Sequence, residues 1–586
     1  MITPRKLLAA LVVLQALAAA IQAQAPATET SLPGKSGVIT GSVTSSSGDL
    51  PASTIVYASP LGANVPPQSA VINSDGAFRI ENLEIGVYRV WAGAPGFVAD
   101  PQNISPESRG IYHTGDSVTL TLKKGGVITG RVLRSNGTPV VAASVRAFRV
   151  RDENGKPTEG VSAFSERMTD DRGIYRMYGL LPGTYIVSAG GMTRFFGGYG
   201  TTAHEQDVPT YAPSATRDTA QEVGVRSGDE ATADIQYRGE PGRAISGTVL
   251  GMPPVQGGMS YGGTVNLTDV KTRTMLMNAQ ASSFTDHAFV FYGLPDGEYE
   301  LVAQQFSQTR DARASEPKRI KVQGADITGV NLTVVPLPAI TGRVILDSSS
   351  PADCVKRRAT AFQETVVSVR RQKRPAKAGA AEEAVTEAVP LSSLEQIADD
   401  VPDGKGDFIL RNLRAGTYRV NVQLPGAAWY LRSVTLGAIT KGADWKVISD
   451  GVSVKQSVSG LTVTISEGAA GIRGRLTVAQ GQRFPVRTIV YLVPAEKENS
   501  TNLLRYFEAR VENDGTFNLR NVVPGDYLIH ARAAEGDTPR IISIREDPDL
   551  RTAVTREADK AKQSLTLKAC ERLENYEFAY PSAIKP

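Results

Sequence analysis

The sequence predicts an all-β protein made of five tandem β-sandwich domains. Three observations support this prediction. A motif of two short strands recurs five times with constant spacing, a glycine-centred strand precedes every copy, and helical patterns are scarce. The chain has 586 residues, which is too long for a single hydrophobic core, so several domains are expected.

The recurring motif begins at an aromatic residue and ends at a tyrosine ten positions later. Apolar residues lie two and five positions after the aromatic residue, and a glycine lies eight positions after it. The aromatic residue and its tyrosine in the five copies are Phe78 and Tyr88, Tyr175 and Tyr185, Phe289 and Tyr299, Phe408 and Tyr418, and Phe517 and Tyr527. Apolar residues two apart share one face of a strand, so each copy reads as strand, turn and strand.

The turn between the two strands has glycine at a fixed position. In the second and fifth copies it reads Pro182-Gly183 and Pro524-Gly525, which favours a type II turn with positive φ at the glycine. The tyrosine that follows faces the core, so its hydroxyl needs a hydrogen-bond partner. A bond back to nearby backbone would supply one, as it does in the corners of other sandwiches.

The strand that precedes each copy has a glycine between apolar residues. These glycines are Gly41, Gly130, Gly247, Gly342 and Gly474. Glycine inside a strand indicates a bulge or the close approach of another group. We expect the aromatic ring of the motif to lie over this glycine, so that Gly41→Val would be strongly destabilising.

The N-terminus has the pattern of a secretory signal peptide. Arg5 and Lys6 precede an apolar run over residues 7–21, and Ala23-Gln24-Ala25 offers a cleavage site. An uncleaved anchor is the alternative, although the run is short for a membrane span. No later stretch is long and apolar enough to span a bilayer, so we expect export and no transmembrane segment after cleavage.

Repeat spacing and composition divide the rest of the chain. A linker at 26–36 is followed by units 1 to 5, which we define as residues 37–124, 125–239, 240–337, 338–468 and 469–586. Closing strands are expected near residues 117–122, 231–237, 330–334 and, in unit 5, 564–567. Unit 5 also contains a predicted helical insertion at 547–562, and alternating aromatic residues at 576–580 could add an edge strand.

Unit 2 contains a long glycine-rich insertion from residue 190 to about residue 221. Its aromatic residues Phe195, Phe196, Tyr199 and Tyr211 are the candidate ligand-binding residues, because exposed rings can stack on sugars or on a partner surface. The alternative is that these rings fold back over the open end of the sandwich.

Unit 4 contains a charged segment at 363–403, which is predicted to be a solvated loop with a short helix. A basic cluster at 370–377 precedes an acidic, alanine-rich run, so polyanion binding is disfavoured. The net charge of the whole chain is +4, from 64 basic and 60 acidic residues. This near balance gives no indication of a nucleic-acid partner.

The two motifs together resemble the carboxypeptidase regulatory-like domain. That resemblance implies transthyretin-like (prealbumin-like) sandwiches of about seven strands, repeated over nearly the whole mature chain. Such domains accompany peptidases, outer-membrane receptors and surface proteins, and the broader fold group resembles carbohydrate-binding modules. The resemblance therefore implies an accessory role and a possible glycan ligand, but no site residue.

No catalytic constellation accompanies the repeats. The chain has four histidines, His113, His204, His287 and His530, which fall in different units without metal-ligand spacing. Asp75, Asp171, Asp403 and Asp514 lie near glycines, and turn formation rather than calcium binding explains them. No metal and no cofactor are expected.

The two cysteines, Cys354 and Cys570, lie in different units and could pair only where those units touch, so idle thiols are the simpler interpretation.

The preferred function is a non-catalytic, exported array with a structural, adhesive or partner-binding role in the bacterial cell envelope. The partner would be an envelope protein or a glycan, in the periplasm, at the outer surface or outside the cell. A carbohydrate-binding protein that uses the loop aromatics is the first alternative. An enzyme with a site between domains is the second.

Overall fold

The structure is a computed structural model that describes most of the five units. The described residues are 37–62, 65–99, 110–158, 164–192, 204–253, 262–281, 286–306, 311–347, 362–372, 397–437, 451–478, 485, 487–534 and 543–580. The predicted signal peptide and linker lie outside these ranges. Within them the chain is all-β, with many short strands in two-layered units and a single α-helix.

Units 1 and 2 each consist of two sheets. The strands of unit 1 are β1 (Gly37–Ser45), β2 (Ile55–Pro60), β3 (Gln68–Val71), β4 (Ala77–Leu83), β5 (Val87–Gly93), β6 (Phe97–Ala99), β7 (Ile111–His113) and β8 (Ser117–Lys124). Those of unit 2 are β9 (Gly126–Arg134), β10 (Ser144–Arg151), β11 (Phe164–Met168), β12 (Ile174–Leu180), β13 (Gly183–Ala189), β14 (Thr210–Tyr211), β15 (Val223–Val225), β16 (Glu230–Thr232) and β17 (Ile235–Tyr237). Unit 1 has the orders β4-β1-β8-β6 and β3-β2-β5-β7. Unit 2 has the orders β12-β9-β16 and β11-β10-β13-β14, with β17 beside β9 and β15 beside β13.

Units 3 and 4 repeat this arrangement. The strands of unit 3 are β18 (Arg243–Leu250), β19 (Gly263–Asp269), β20 (Thr274–Ala281), β21 (Ala288–Leu294), β22 (Gly297–Phe306), β23 (Ala312–Ala314), β24 (Lys318–Val322), β25 (Ile327–Thr333) and β26 (Val335–Pro336). Those of unit 4 are β27 (Ile340–Asp347), β28 (Val366–Arg371), β29 (Ile397–Asp400), β30 (Asp407–Leu410), β31 (Gly416–Gln423), β32 (Trp429–Leu436), β33 (Val452–Val454) and β34 (Val458–Glu467). The orders in unit 3 are β21-β18-β25 and β20-β19-β22-β23-β26, with β24 beside β22. Those in unit 4 are β30-β27-β34-β32 and β29-β28-β31-β33.

Unit 5 has two sheets and a helix. Its elements are β35 (Ala470–Thr477), β36 (Thr488–Pro494), β37 (Phe507–Arg510), β38 (Thr516–Val522), β39 (Gly525–Ala533), α1 (Pro548–Ala561), β40 (Ser564–Leu567) and β41 (Arg572–Ala579). The sheets have the orders β38-β35-β41 and β37-β36-β39-β40. The predicted helical insertion is confirmed, and Asp547 caps α1 by accepting the N–H groups of Asp549 at 2.8 Å and Leu550 at 3.0 Å.

The first strand of every unit pairs in parallel with a late strand of the same unit. These parallel pairs are β1 with β8, β9 with β16 and β17, β18 with β25, β27 with β34, and β35 with β41. The predicted closing strand of unit 5 at 564–567 is therefore wrong. That segment is β40 and pairs with β39 in the other sheet, whereas the aromatic strand β41 takes the closing position.

The tyrosine at the end of each motif makes the same hydrogen bond in all five units. Its hydroxyl donates to the carbonyl oxygen four residues earlier, in the turn between the motif strands. The bonds are Tyr88 to Glu84 at 3.0 Å, Tyr185 to Leu181 at 2.7 Å, Tyr299 to Pro295 at 2.7 Å, Tyr418 to Arg414 at 2.9 Å and Tyr527 to Val523 at 2.6 Å. All five rings are buried. The predicted tyrosine corner is confirmed, and each unit satisfies its buried hydroxyl locally.

The strand glycine lies under the aromatic side chain of its motif in every unit. A Cβ at Gly41 would overlap the carbonyl oxygen of Val118 and stand 2.9 Å from Cε1 of Phe78. The aromatic atom nearest to such a Cβ in the other units is Tyr175 Oη at 2.9 Å, Phe289 Cζ at 2.9 Å, Phe408 Cζ at 2.5 Å and Phe517 Cζ at 2.6 Å. The expected close approach is confirmed: the ring and a backbone carbonyl of the closing strand together exclude any side chain.

The turn within the motif differs from the type II prediction. Gly183 and Gly525 have φ of +153° and +145°, far from the value of about +80° that a type II turn requires. The left-handed residue lies instead four positions after the aromatic residue. It is Asn82 (φ 59°), Gly179 (71°), Gly293 (68°), Asn412 (62°) or Asn521 (57°). Asparagine and glycine tolerate this conformation best, which explains why no other residue occurs there.

The charged segment of unit 4 is partly sheet. Residues 366–371 form β28, whose Val367 and Val369 belong to the core, and residues 397–400 form β29 beside it. The prediction of one loop over 363–403 is therefore wrong for its two ends. Alternating valines immediately before the basic cluster carry the strand signal. Residues 373–396 lie outside the described residues.

Cys570 is disulfide-bonded, which contradicts the interpretation of idle thiols. The sequence contains one other cysteine, Cys354, which lies outside the described residues.

Candidate binding surface

The predicted loop aromatics do not form a described binding surface. Phe195, Phe196 and Tyr199 lie outside the described residues. Tyr211 is only 7% exposed, and its strand β14 pairs back onto β13 opposite Ser188. The ring of Tyr211 packs with buried Phe148, which is the arrangement that the alternative of an insertion folded back over the sandwich expects.

A more exposed aromatic surface lies on the outer face of the second sheet of unit 1. The outer face is the side of that sheet that points away from the sandwich core. Each unit has an equivalent position there: the residue three after the corner tyrosine and its direct cross-strand partner, which we call the outer pair. The outer pairs are Trp91 with Tyr57, Ser188 with Arg146, Val302 with Asn266, Asn421 with Ser368, and His530 with Tyr491.

The outer pair of unit 1 is aromatic and open. Trp91 is 37% exposed, and its ring stacks on that of Tyr57 with centroids 5.4 Å apart and an interplanar angle of 18°. Successive side chains of β5 point to opposite faces of the sheet. Tyr88 and Val90 face the core, so Trp91 faces outward. Beside Tyr57, Gly93 offers no side chain, and a Cβ there would stand 3.8 Å from Cε2 of Tyr57.

Apolar residues extend this surface toward one end of the sheet. Val71 is 59% exposed on edge strand β3, and half-buried Ile55 lies directly opposite it. Toward the other end lie half-buried Ser59 and exposed Arg89, which are also directly opposite each other. The surface is therefore apolar at one end and polar at the other, with the two rings between.

The polar end of this surface leads to a contact between units 1 and 4. Val87 and Ile111 of unit 1 are buried against Val366, which begins β28. His113 Nε2 lies 2.8 Å from the main-chain oxygen of Glu364. The contact joins segments about 250 residues apart, so units 1 and 4 pack directly although they are not neighbours in sequence.

The environment of His113 favours its protonated form. Burial alone would lower its pKa, but the Asp116 carboxylate and the Glu364 carbonyl outweigh burial, and the pKa of His113 is raised. The same pair lowers the pKa of Asp116 despite the burial of its carboxylate. His113 thus acts as a polar bridge at the edge of an apolar contact.

The outer pairs of units 2 and 3 are covered. Arg146 is 2% exposed, and its guanidinium donates to the main-chain oxygens of Gly190 at 3.1 Å, Met192 at 2.8 Å and, in unit 3, Leu276 at 3.4 Å. Val302 of unit 3 is only 3% exposed. At these positions the sheet face serves packing rather than a ligand.

The outer pair of unit 5 is covered by α1. His530 is 6% exposed and its Nε2 lies 3.1 Å from Oε2 of Glu557 on the helix, while Tyr491 packs with buried Val554. Burial lowers the pKa of His530 more than Glu557 raises it. His530 is therefore a packing residue with a carboxylate partner on the covering helix.

The aspartates near glycines act in turns. Oδ1 of Asp403 accepts the N–H groups of Lys405 at 2.8 Å and Asp407 at 3.0 Å, and Oδ1 of Asp514 accepts that of Thr516 at 3.0 Å. In units 1 and 2 the acceptors are Asn73 and Asp170 instead of the predicted Asp75 and Asp171.

Among the described residues, no group of three or more histidine, cysteine, aspartate or glutamate side chains is placed to hold a metal ion. In the same part of the chain, no helix has the length and apolar character needed to cross a membrane.

Comparison with known proteins adds no family. No family model matches the chain, and no curated protein matches it. The resemblance to carboxypeptidase regulatory-like domains therefore stays a prediction.

Solved structures with partial similarity include the following three proteins. The TIE protein of Bacillus anthracis has 10% identity and a TM-score of 0.14, with 77% of each chain covered. Two B repeat units of the collagen-binding protein of Staphylococcus aureus have 12% identity and a TM-score of 0.12, covering 74% of this chain and 99% of that one. The minor pilin GBS52 of Streptococcus agalactiae has 13% identity and a TM-score of 0.14, covering 36% of this chain and 97% of that one. At such TM-scores the chains do not superimpose as wholes, and the fold assignment rests on the sheets described above.

Proposed function

We propose that the chain is an exported, non-catalytic β-sandwich array with an adhesive or partner-binding role in the bacterial cell envelope. The observation that carries the proposal is the open outer face of unit 1, where Trp91 and Val71 expose apolar area that the equivalent faces of units 2 and 5 bury. Exposed apolar area of this kind is typical of an interaction site.

The role of the outer faces elsewhere in the molecule supports this assignment. In unit 5 the face binds α1, in unit 2 it packs against the 204–221 segment and unit 3, and at the polar end of unit 1 it contacts unit 4. Because the outer face of the sheet forms a packing contact in units 1, 2 and 5, the same kind of face is suited to bind a further protein or ligand. The open part of unit 1 is the place where the contact would be intermolecular.

Three of the four histidines support a non-catalytic role because their surroundings are those of packing residues. His113 bridges two units, His530 joins a sheet to a helix, and His204 packs edge-on against Tyr237 at 5.3 Å between centroids. Export is supported by the N-terminal sequence, with its basic residues, apolar run and small residues before a cleavage site.

Cosedimentation with isolated cell envelopes tests the proposal. The purified mature chain should pellet with envelope material of the source organism, and Trp91→Ala should reduce the bound fraction several-fold. Tyr178→Ala is the matched control, since Tyr178 is an exposed aromatic residue on unit 2 at 56% exposure. A mature chain that stays in the supernatant at all concentrations would remove the proposed role.

A further inference from the structure

We propose that the stacked rings of Tyr57 and Trp91, with the strip between them and unit 4, bind a glycan chain. This inference rests on the proposed function and names the ligand class of the same surface. Two polar residues, Ser59 and Arg89, supply the hydrogen-bonding part of the site.

The rings provide the apolar part of such a site. Their geometry is fixed before binding, because the two side chains stack at 5.4 Å from directly opposite positions on β2 and β5. A pyranose ring has an apolar C–H face and a polar rim, and indole and phenol rings match it with an apolar body and a polar tip. The missing side chain at Gly93 leaves room beside Tyr57 for a flat ring.

The strip between the rings and unit 4 is short and polar. Val87, which contacts unit 4, lies four residues from Trp91, so the strip is about 13 Å long at the rise of a β-strand. Its floor is formed by Ser59 and Arg89, one from each strand. Unit 4 closes the far end, where Gly86 faces the carbonyl oxygen of Gln363. The site is therefore continuous with the contact between units 1 and 4, and junctions between domains are preferred places for ligands.

The mixture of apolar and polar groups favours a glycan over the apolar side chains of a protein. An apolar occupant would cover Ser59 and Arg89 without satisfying their hydrogen bonds, which costs free energy. A polyhydroxylated chain satisfies them along the strip and still presents C–H faces to Tyr57 and Trp91. Within the described residues, unit 1 alone combines an open aromatic outer pair with such a polar strip.

Binding of defined hexasaccharides tests the inference. The probes are the α-1,4-linked and β-1,4-linked hexamers of glucose and the β-1,4-linked hexamer of N-acetylglucosamine, titrated by calorimetry into the full mature chain. We expect at least one probe to bind, and Trp91→Ala to weaken its binding by about tenfold or more, since stacking and ring burial together contribute at least that much. Tyr178→Ala should bind like the parent chain.

A second variant separates the polar strip from the rings. Arg89→Ala should weaken binding without changing the melting temperature, because Arg89 is exposed and lies outside the core. If no hexasaccharide binds, or if Trp91→Ala binds as tightly as the parent chain, the inference is wrong.

The envelope experiment keeps the two proposals apart. A chain that pellets with envelopes, loses that binding on Trp91→Ala, and is not displaced by any hexasaccharide would retain the proposed function and remove the glycan. Treatment of the envelopes with protease should leave the binding intact if a glycan is the ligand.

Discussion

Units 1 and 5 use the same sheet position in opposite ways. Tyr57 and Trp91 in unit 1 correspond to Tyr491 and His530 in unit 5, because both pairs lie directly opposite each other three residues from a corner tyrosine. In unit 5, α1 covers the pair; in unit 1 it is open. The sandwich fold therefore fixes where the side chains point, whereas elements added outside the repeat decide whether they bind a ligand or the protein itself.

The difference extends to how each unit is held in place. The outer face of unit 5 is stabilised by its own inserted helix. Among the described residues, the outer face of unit 1 is covered at one end by unit 4, which lies far away in sequence. The inserted helix of unit 5 buries the outer face of its sheet. Unit 4 buries only part of the outer face of unit 1, so the remaining part is accessible to a ligand.

The largest expected loss of stability comes from replacing the strand glycine that units 1 and 5 share. Gly41→Val and Gly474→Val should each destabilise its own unit by about 3 kcal/mol or more, because a side chain there would overlap a backbone carbonyl and an aromatic ring that cannot move away. Thermal unfolding and limited proteolysis should locate the damage in the mutated unit. Equal melting of the parent chain and both variants would mean that the ring does not lie over the glycine.

Undocking α1 should destabilise unit 5, whereas the matched substitution on the open face of unit 1 should have little effect. Val554→Asp places a carboxylate in the contact between α1 and the sheet, where Val554 is fully buried, and should cost about 2–3 kcal/mol by undocking the helix. The matched change Val71→Asp on the exposed strand β3 should cost less than about 1 kcal/mol. Hydrogen exchange should rise over residues 525–533 and 548–561 in the first variant only, and equal exchange in both variants would contradict the contact between α1 and the sheet.

The two histidines should give the units opposite responses to pH. The pKa of His530 is lowered, so its contribution to stability is complete above the unfolded value of about 6.5 and is lost as the pH falls through the folded value. The pKa of His113 is raised, so its contribution is complete below about 6.5 and is lost as the pH rises through the folded value. Acidification should thus weaken the α1 contact and strengthen the contact between units 1 and 4.

The measurement compares the parent chain with His113→Asn and His530→Asn between about pH 5.5 and pH 8. The stability difference between the parent chain and His530→Asn should increase with pH, and the difference for His113→Asn should decrease. The groups that face His113 are Asp116 and Glu364, and those that face His530 are Glu557 and Arg532. Parallel slopes for the two variants would show that the assigned environments are wrong.

Much of the fold follows from local chemistry in the sequence. The tyrosine corner and the glycine under an aromatic ring were predictable because each depends on residues within one short motif or on one strand packing against it. The sequence also contains a signal for the left-handed residue at Asn82 and its equivalents, because only asparagine and glycine occur there. The glycine four residues later was the more prominent turn residue, so the turn was placed there instead.

The candidate surface could be predicted only in part. Alternation along β5 places Trp91 on the outer face, yet the same alternation places His530 there, and nothing within either strand says that one is open and the other covered. In unit 5 the helix α1 covers the outer pair, whereas in unit 1 unit 4 contacts the sheet face at Val87 and leaves the outer pair open. Both arrangements depend on packing between distant segments. The loop aromatics attracted attention because they lie among glycines, but Tyr211 shows how such an insertion can bury its rings against the parent sheet.

The smallest expected effect is the most informative about function. Trp91→Ala should change the free energy of unfolding by less than about 1 kcal/mol, because an exposed ring gains little from folding and its stacking on Tyr57 contributes modestly. Tyr491→Ala removes the aromatic ring of the outer pair that α1 covers and should cost about 3 kcal/mol or more, since the ring is 1% exposed. Chemical denaturation of both variants measures the difference. A small stability loss for Trp91→Ala would mean that the ring contributes little to folding, as expected of a ring that binds a ligand. A large loss would instead assign the ring to packing.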